Sequence, residues 1–135
     1  MLKCGLLGET LSHSYSPEIH KKLGEYEYKL YEKTPEELEE FILKKDYDGL
    51  NVTIPYKQAV MPYLDELSKE AKRIGSVNTI VKRADGTLLG DNTDIYGFKY
   101  MLKRAGIDVY GKKALILGSG GTEKTVHTAL LDLGA

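Results

Sequence analysis

Two spacings of apolar residues alternate along the chain, the short spacing of strands and the longer one of helices, and each change of spacing marks a new element. "KCGLLG" (3–8) predicts a strand, "SPEIHKKLGE" (16–25) a helix, and "YEYKLYEK" (26–33) a strand with alternating polarity. "TPEELEEFILKK" (34–45) is a helix with complete start signals: Thr34 to cap, Pro35 at the first helical position and Glu37 to close a capping box. "DGLNVTIP" (48–55) reads as a short buried strand stopped by Pro55. In "KQAVMPYLDELSKEAKRIG" (57–75) the second half is helical, with Leu64, Leu67 and Ala71 on one face, Gly75 as the stop, and Pro62 as a break. "SVNTIVKRADGTLLGDN" (76–92) predicts two strands joined at Asp85-Gly86, and "DIYGFKYMLKRAG" (94–106) a helix ended by Gly106.

The pattern then changes. "KKALILGSGGTEKTVHTALLDLGA" (112–135) is an apolar strand, a glycine-rich turn and a helix whose predicted apolar face is Val126, Leu130 and Leu133. These elements predict an α/β fold: a three-layer, mixed and mainly parallel sheet flanked by helices over residues 1–106, followed over 107–135 by the first strand-turn-helix of a Rossmann unit. A lone strand and helix cannot bury both faces by themselves. The expectation is therefore that the chain is a fragment of a longer protein, or that residues 107–135 pack on the first domain or on another copy.

Composition narrows the function. With 41% hydrophobic residues, 29% charged residues and a net charge of −1, the chain has no excess of cations to displace counterions from nucleic acid. No run of apolar residues is long enough to span a bilayer, and the start of the chain is apolar for too few residues to be a secretory signal. The single cysteine, Cys4, rules out an internal disulfide framework and fits a reducing compartment, so the expected location is the cytoplasm. His13, His20 and His127 lack metal-ligand spacing, and structural or surface roles are expected for all three.

Four segments carry candidate chemistry. "LSHSYSP" (11–17) places three hydroxyls before a helix; Ser16, followed by Pro17 and Glu18, is a good cap, but a cap needs only one hydroxyl. "NVTIPYK" (51–57) delivers Lys57 just beyond the carboxyl end of a strand, where open α/β sheets hold ligands. A lysine there either transfers protons at a carbonyl or alcohol, or is an ordinary surface charge. In "GDNTD" (90–94), Asp91 or Asp94 caps the following helix or pairs with Lys57, and Asn78, unusual in a strand-like run, needs a polar partner. "GSGG" (118–121) stands between a strand and a helix, the context of a dinucleotide-phosphate turn, although Glu123 replaces the third glycine of the usual pattern.

Taken together and in order, "SHSYSP", "NVTIPYK", "GSVNT", "GDNTDIYGF" and "ILGSGGTEKTV" resemble the shikimate dehydrogenase family over essentially the whole chain. The resemblance implies an NADP-dependent oxidoreductase of chorismate and aromatic amino-acid biosynthesis that interconverts 3-dehydroshikimate and shikimate. It implies that Ser14 and Ser16 bind the substrate carboxylate, that Thr53 is a further contact, that Lys57 is catalytic, and that Asn78 and Asp94 hold ring hydroxyls. Gly118, Ser119, Gly120, Gly121 and Thr122 would form the pyrophosphate turn. The implied partner is a small-molecule substrate, with no nucleic acid or membrane, and a homodimer is left open. Family members are about twice this long and usually carry small residues where this chain has Thr122, Glu123 and Thr125. The residue that separates NAD from NADP lies about 20 positions past the glycine turn, beyond Ala135. Two alternatives stand beside this reading: a non-catalytic module that binds shikimate-like acids, and a quinate/shikimate dehydrogenase.

Overall fold

The structure is a computed structural model that describes all residues, 1–135. Six strands form one mixed sheet: β1 (Lys3–Gly8), β2 (Glu27–Glu32), β3 (Gly49–Val52), β4 (Glu66–Leu67), β5 (Thr79–Lys82) and β6 (Leu88–Asp91). Their order is β2-β1-β3-β5-β6-β4. β1 runs parallel to β2 and β3, and β4 parallel to β6; β5 is antiparallel to both β3 and β6. The helices are α1 (Ser16–Leu23), α2 (Pro35–Lys44), α3 (Lys69–Ile74), α4 (Asp94–Arg104) and α5 (Gly121–Asp132). The expected α/β layering of sheet and helices is the architecture found.

Strand alternation chooses the core. Leu50 and Val52 of β3 are buried on one face, beside Leu7 of β1 and Ile80 of β5, and α2 lays Leu38 and Ile42 over them. Tyr47, Val60, Ala71 and Leu88 close the same cluster. The other face carries Tyr28 and Asn51, on which α1 places the His20 ring at 3.8 Å from Tyr28. The α2 start forms as its residues require, with the Glu37 carboxylate accepting from the Thr34 N–H at 3.0 Å.

Three elements differ from the sequence reading. Leu64 and Leu67 are not on a helix: Glu66–Leu67 pair with β6, and Ser68 starts α3 by accepting from the Ala71 N–H at 3.0 Å. Both leucines still reach the core from this extended segment, so burial alone did not distinguish strand from helix. The strand expected at 112–117 does not form. Leu115 and Leu117 remain 85% and 88% exposed, since no other strand lies alongside to complete a ladder.

The third difference is the buried face of α5, which is Thr125, Ala129 and Leu130 rather than Val126, Leu130 and Leu133. Ala129 packs on Ile74 of α3 and Ile95 of α4, so these two helices select the face. At the far end of α5, Asp132 accepts from Arg73 at 2.5 and 2.9 Å and from Lys99 at 2.6 Å. Those hydrogen bonds hold its carboxyl well below the usual carboxylate range. Residues 121–132 are thus fastened to the sheet-bearing part of the chain.

Candidate active site

The parallel strands β1 and β3 end side by side, and the chain leaves each of them into a loop. Between these loops lies an open cleft of about 560 Å³, lined by Ser12, His13, Ser14, Ser16, Thr53, Ile54 and Pro55 among others. Gly8 permits the close approach, since a Cβ there would lie 2.6 Å from Leu11 and 2.9 Å from the Thr53 methyl. The Leu11 N–H donates to the Glu32 carboxylate at 2.6 Å, which pins the first loop to β2.

The capping expectation for Ser16 is corrected. Ser16 is already the first residue of α1, and it is the Ser14 hydroxyl oxygen that accepts, from the Ser16 N–H at 3.2 Å. That leaves the Ser16 hydroxyl without a capping duty.

Four residues after Thr53 comes Lys57. Its ammonium donates to Asp94 Oδ2 at 2.6 Å, with the lysine side chain only 13% exposed. A lysine this enclosed needs its counter-charge, and Asp94 supplies it. The other oxygen of Asp94 accepts from Asn78 Nδ2 at 2.9 Å. Asn78 is held in turn by Thr93, whose N–H donates to Asn78 Oδ1 at 2.8 Å and whose hydroxyl accepts from Nδ2 at 2.9 Å. Asn78 lies just before β5 rather than inside it, with its N–H on the Asp91 carbonyl. The alternative reading of Asp94 and Asp91 as helix caps gives way: Asn92 Oδ1 accepts from the Ile95 N–H at 3.3 Å. Asp91 instead accepts from the Ser68 hydroxyl at 2.5 Å.

The glycine turn comes to the same place. Gly121 packs so close that a Cβ would sit 2.9 Å from both Lys57 Cβ and the Ser76 hydroxyl, and Thr122 Oγ1 lies 3.5 Å from the Lys57 ammonium. Gly118 adopts φ 135°, and the space beside Gly118 and Gly120 is open. No side chain caps the start of α5, so its first backbone N–H groups are available to an anion. Gly118, Ser119, Gly120, Gly121 and Thr122 therefore fit a nucleotide phosphate.

The structure brings Lys57, Asp94, Asn78 and Thr122 together in one cluster, and Ser14, Ser16 and Thr53 together in the cleft. Sequence reasoning passed over Asn92, Thr93 and Ser76, whose role depends on contacts between distant segments; the only local hint was an amide in the middle of "GDNTD". His13, for which a structural or surface role is expected, lines the cleft. His20 is structural, stacked on Tyr28 and hydrogen-bonded to the Tyr26 hydroxyl at 2.6 Å. Burial pushes the Tyr28 phenol up to about 12, which keeps it a donor to Asn51 at 2.8 Å. No group of His, Cys, Asp and Glu side chains is arranged to hold a metal ion, and no helix is long and apolar enough to cross a membrane.

Ser76 makes a test of this packing. Its hydroxyl is fully buried with no hydrogen-bond partner. An unpaired buried hydroxyl costs roughly 1–3 kcal/mol, so Ser76→Ala is expected to raise stability by about 1 kcal/mol in urea unfolding. A loss of stability would show that the hydroxyl is paired.

Comparison with known proteins agrees with this geometry. Residues 6–80, more than half of the chain, match the shikimate dehydrogenase substrate binding domain. This chain belongs to that shikimate dehydrogenase family. The NADP(+) shikimate dehydrogenase of Clostridium beijerinckii is 50% identical over 138 residues, covering 96% of this chain and 51% of the relative. The crystal structure of shikimate dehydrogenase 1 from Peptoclostridium difficile superposes with a TM-score of 0.93 at 47% identity, over 99% of this chain and 52% of that one. The shikimate 5-dehydrogenase of Thermus thermophilus, solved with NADP(H) and shikimate, gives 0.88 at 39% identity, over 99% and 53%. The chain thus spans about half the length of the shikimate dehydrogenases it matches.

Proposed function

We propose that this chain carries the acid-binding half of an NADP-dependent enzyme that interconverts 3-dehydroshikimate and shikimate. The observation that carries the reading is the Lys57–Asp94–Asn78 chain of hydrogen bonds, joined by the short segment 53–57 to a cleft of serine and threonine hydroxyls. In this reading Ser14 and Ser16 donate to the substrate carboxylate, Thr53 adds a contact, and Asn78 and Asp94 hold ring hydroxyls. As the ketone is reduced, negative charge grows on its oxygen, and the Lys57 ammonium transfers a proton to it. In the reverse direction the lysine amine takes the proton of the alcohol. Asp94 keeps the lysine aimed and offsets its charge. NADP, held at Gly118–Thr122, supplies the hydride chemistry when bound.

Relatives support the parts of this reading: the first relatives carry NADP(+) in their names, the Thermus thermophilus enzyme was solved with NADP(H) and shikimate, and the Listeria monocytogenes enzyme, solved with shikimate and NAD, supports the acid and a nicotinamide dinucleotide without favouring NADP. The division at residue 106 and a cytoplasmic location belong to the same proposal, the latter resting on the lone Cys4.

Calorimetric titration of shikimate into the chain tests it. Ser14→Ala with Ser16→Ala is expected to weaken binding by about a hundredfold or more, since each of the two hydrogen bonds to the carboxylate contributes roughly 1.5–3 kcal/mol. Unchanged affinity would remove both serines from the carboxylate site, and a parallel titration with quinate decides between the two acids. A second reading, acid binding without turnover by these 135 residues alone, is favoured by the unpaired segment ending at Leu117. Reduced-nicotinamide absorbance after adding NADP and shikimate would exclude it.

A further inference from the structure

Behind the lysine–aspartate pair lies a second polar cluster, and it is closed to solvent. Asn92 is 0% exposed and Thr125 1%. Asn92 Nδ2 donates to the Ser76 carbonyl at 3.0 Å and to the Thr125 hydroxyl at 3.1 Å, while its Oδ1 accepts from the Ile95 N–H at 3.3 Å. Thr125 in turn donates to the Gly121 carbonyl at 3.3 Å.

One amide thereby ties three segments. Ser76 leads into Asn78, Ile95 follows Asp94, and Thr125 sits one turn past Gly121, which rests on Lys57. The apolar contact of Ala129 and the ion pairs of Asp132 hold the middle and far end of α5, but neither touches its first turn. That end rests on Lys57 and Ser76 through Gly121 and meets the Lys57 ammonium at Thr122 over a long 3.5 Å, and the Asn92–Thr125 hydrogen bond is its one fully buried polar link to the rest of the chain. A buried polar network with its partners satisfied is rigid, and loses its geometry when one member is removed.

We infer that Asn92 and Thr125 are a positioning pair: they hold the first turn of α5, with Gly121 and Thr122, in fixed register on the Lys57 ammonium. Occupancy of the acid cleft is then felt at the glycine turn. The identity of the acid rests on the function proposed above; the positioning does not.

Backbone amide resonances of the 135-residue chain provide the test. Without ligand, Thr125→Val is expected to shift the resonances of Gly121, Thr122, Lys57 and Asp94. Thr125→Ser, which keeps the hydroxyl, restores them. Thr128→Val, which removes a hydroxyl bonded only within α5 to the Lys124 carbonyl, leaves them in place. With saturating shikimate, Gly121 and Thr122 move in the parent chain and in Thr125→Ser. In Thr125→Val they stay still, while Ser14, Ser16 and Thr53 still respond.

Unshifted Gly121, Thr122, Lys57 and Asp94 resonances in a folded Thr125→Val would overturn the positioning role. The titration of the parent chain needs no variant: a response at Ser14 and Ser16 with none at Gly121 and Thr122 would overturn the coupling. If shikimate moves no resonance at all, the functional reading fails and the coupling with it, while the ligand-free comparison still decides the positioning.

Discussion

Replacing Lys57 with alanine is expected to abolish reduction of 3-dehydroshikimate while leaving much of the affinity for shikimate. The lysine interacts most strongly as charge develops on the substrate oxygen, so its loss falls on the transition state. Proton transfer by a positioned side chain is worth about 10²–10⁴-fold, and kcat and kcat/KM should fall together by that amount. The measurement suits a polypeptide in which residues 1–135 are joined to the second half of a relative such as the Clostridium beijerinckii enzyme, since hydride transfer needs both halves to hold their ligands in contact. The Asp94 carboxylate, 2.6 Å from the lysine, is left without its counter-charge in this variant, which accounts for some loss of affinity. A near-normal kcat would show that another group handles the proton.

The largest effect on stability is expected at Leu7. It is 0% exposed within the buried cluster, on β1 between β2 and β3. Leu7→Ala removes buried methyl groups from a site walled on both sides by backbone ladders, where little collapse can fill the space. The expected cost is about 3 to 5 kcal/mol, a large share of the roughly 5–15 kcal/mol that holds a domain folded. Leu30 provides the comparison: it lies on the edge strand β2 and is 40% exposed, and its truncation should cost less than about 1 kcal/mol. Urea unfolding of the two variants measures the difference. Equal losses would show that Leu7 does not belong to the tightly packed core as described.

Much of the fold was legible because local and global preferences agree. Thr34, Pro35 and Glu37 start α2 through contacts among near neighbours, and Asp85-Gly86 makes the β5–β6 hairpin the same way. The misread elements were those decided by distant partners. Leu64 and Leu67 have helical spacing to Ala71, yet a ladder with β6 drew Glu66–Leu67 into a strand. "ALIL" has strand composition, but composition cannot supply a neighbouring strand. The buried face of α5 likewise depends on Ile74 and Ile95, far away along the chain.

The site divides along the same line. Lys57 and Asp94 could be suspected from their places at the end of a strand and the start of a helix, and the family motifs paired them. Which hydroxyl of "SHSYSP" serves α1 was misassigned, since Ser14 and Ser16 differ only in how the turn folds. The amide of Asn92 is visible in "GDNTD" but its role is not, because its partners lie at positions 76, 95 and 125. Tertiary contacts give it a role that no local pattern signals.

A crystal structure of the 135-residue chain with shikimate tests the central claim most directly, that these residues carry the carboxylate clamp and the lysine–aspartate pair of the acid site. The expected result is the carboxylate on the hydroxyls of Ser14 and Ser16, with a ring hydroxyl within hydrogen-bond distance of both Lys57 and Asp94. Shikimate bound away from Ser14 and Ser16, or in the cleft with its ring out of reach of Lys57, would contradict it.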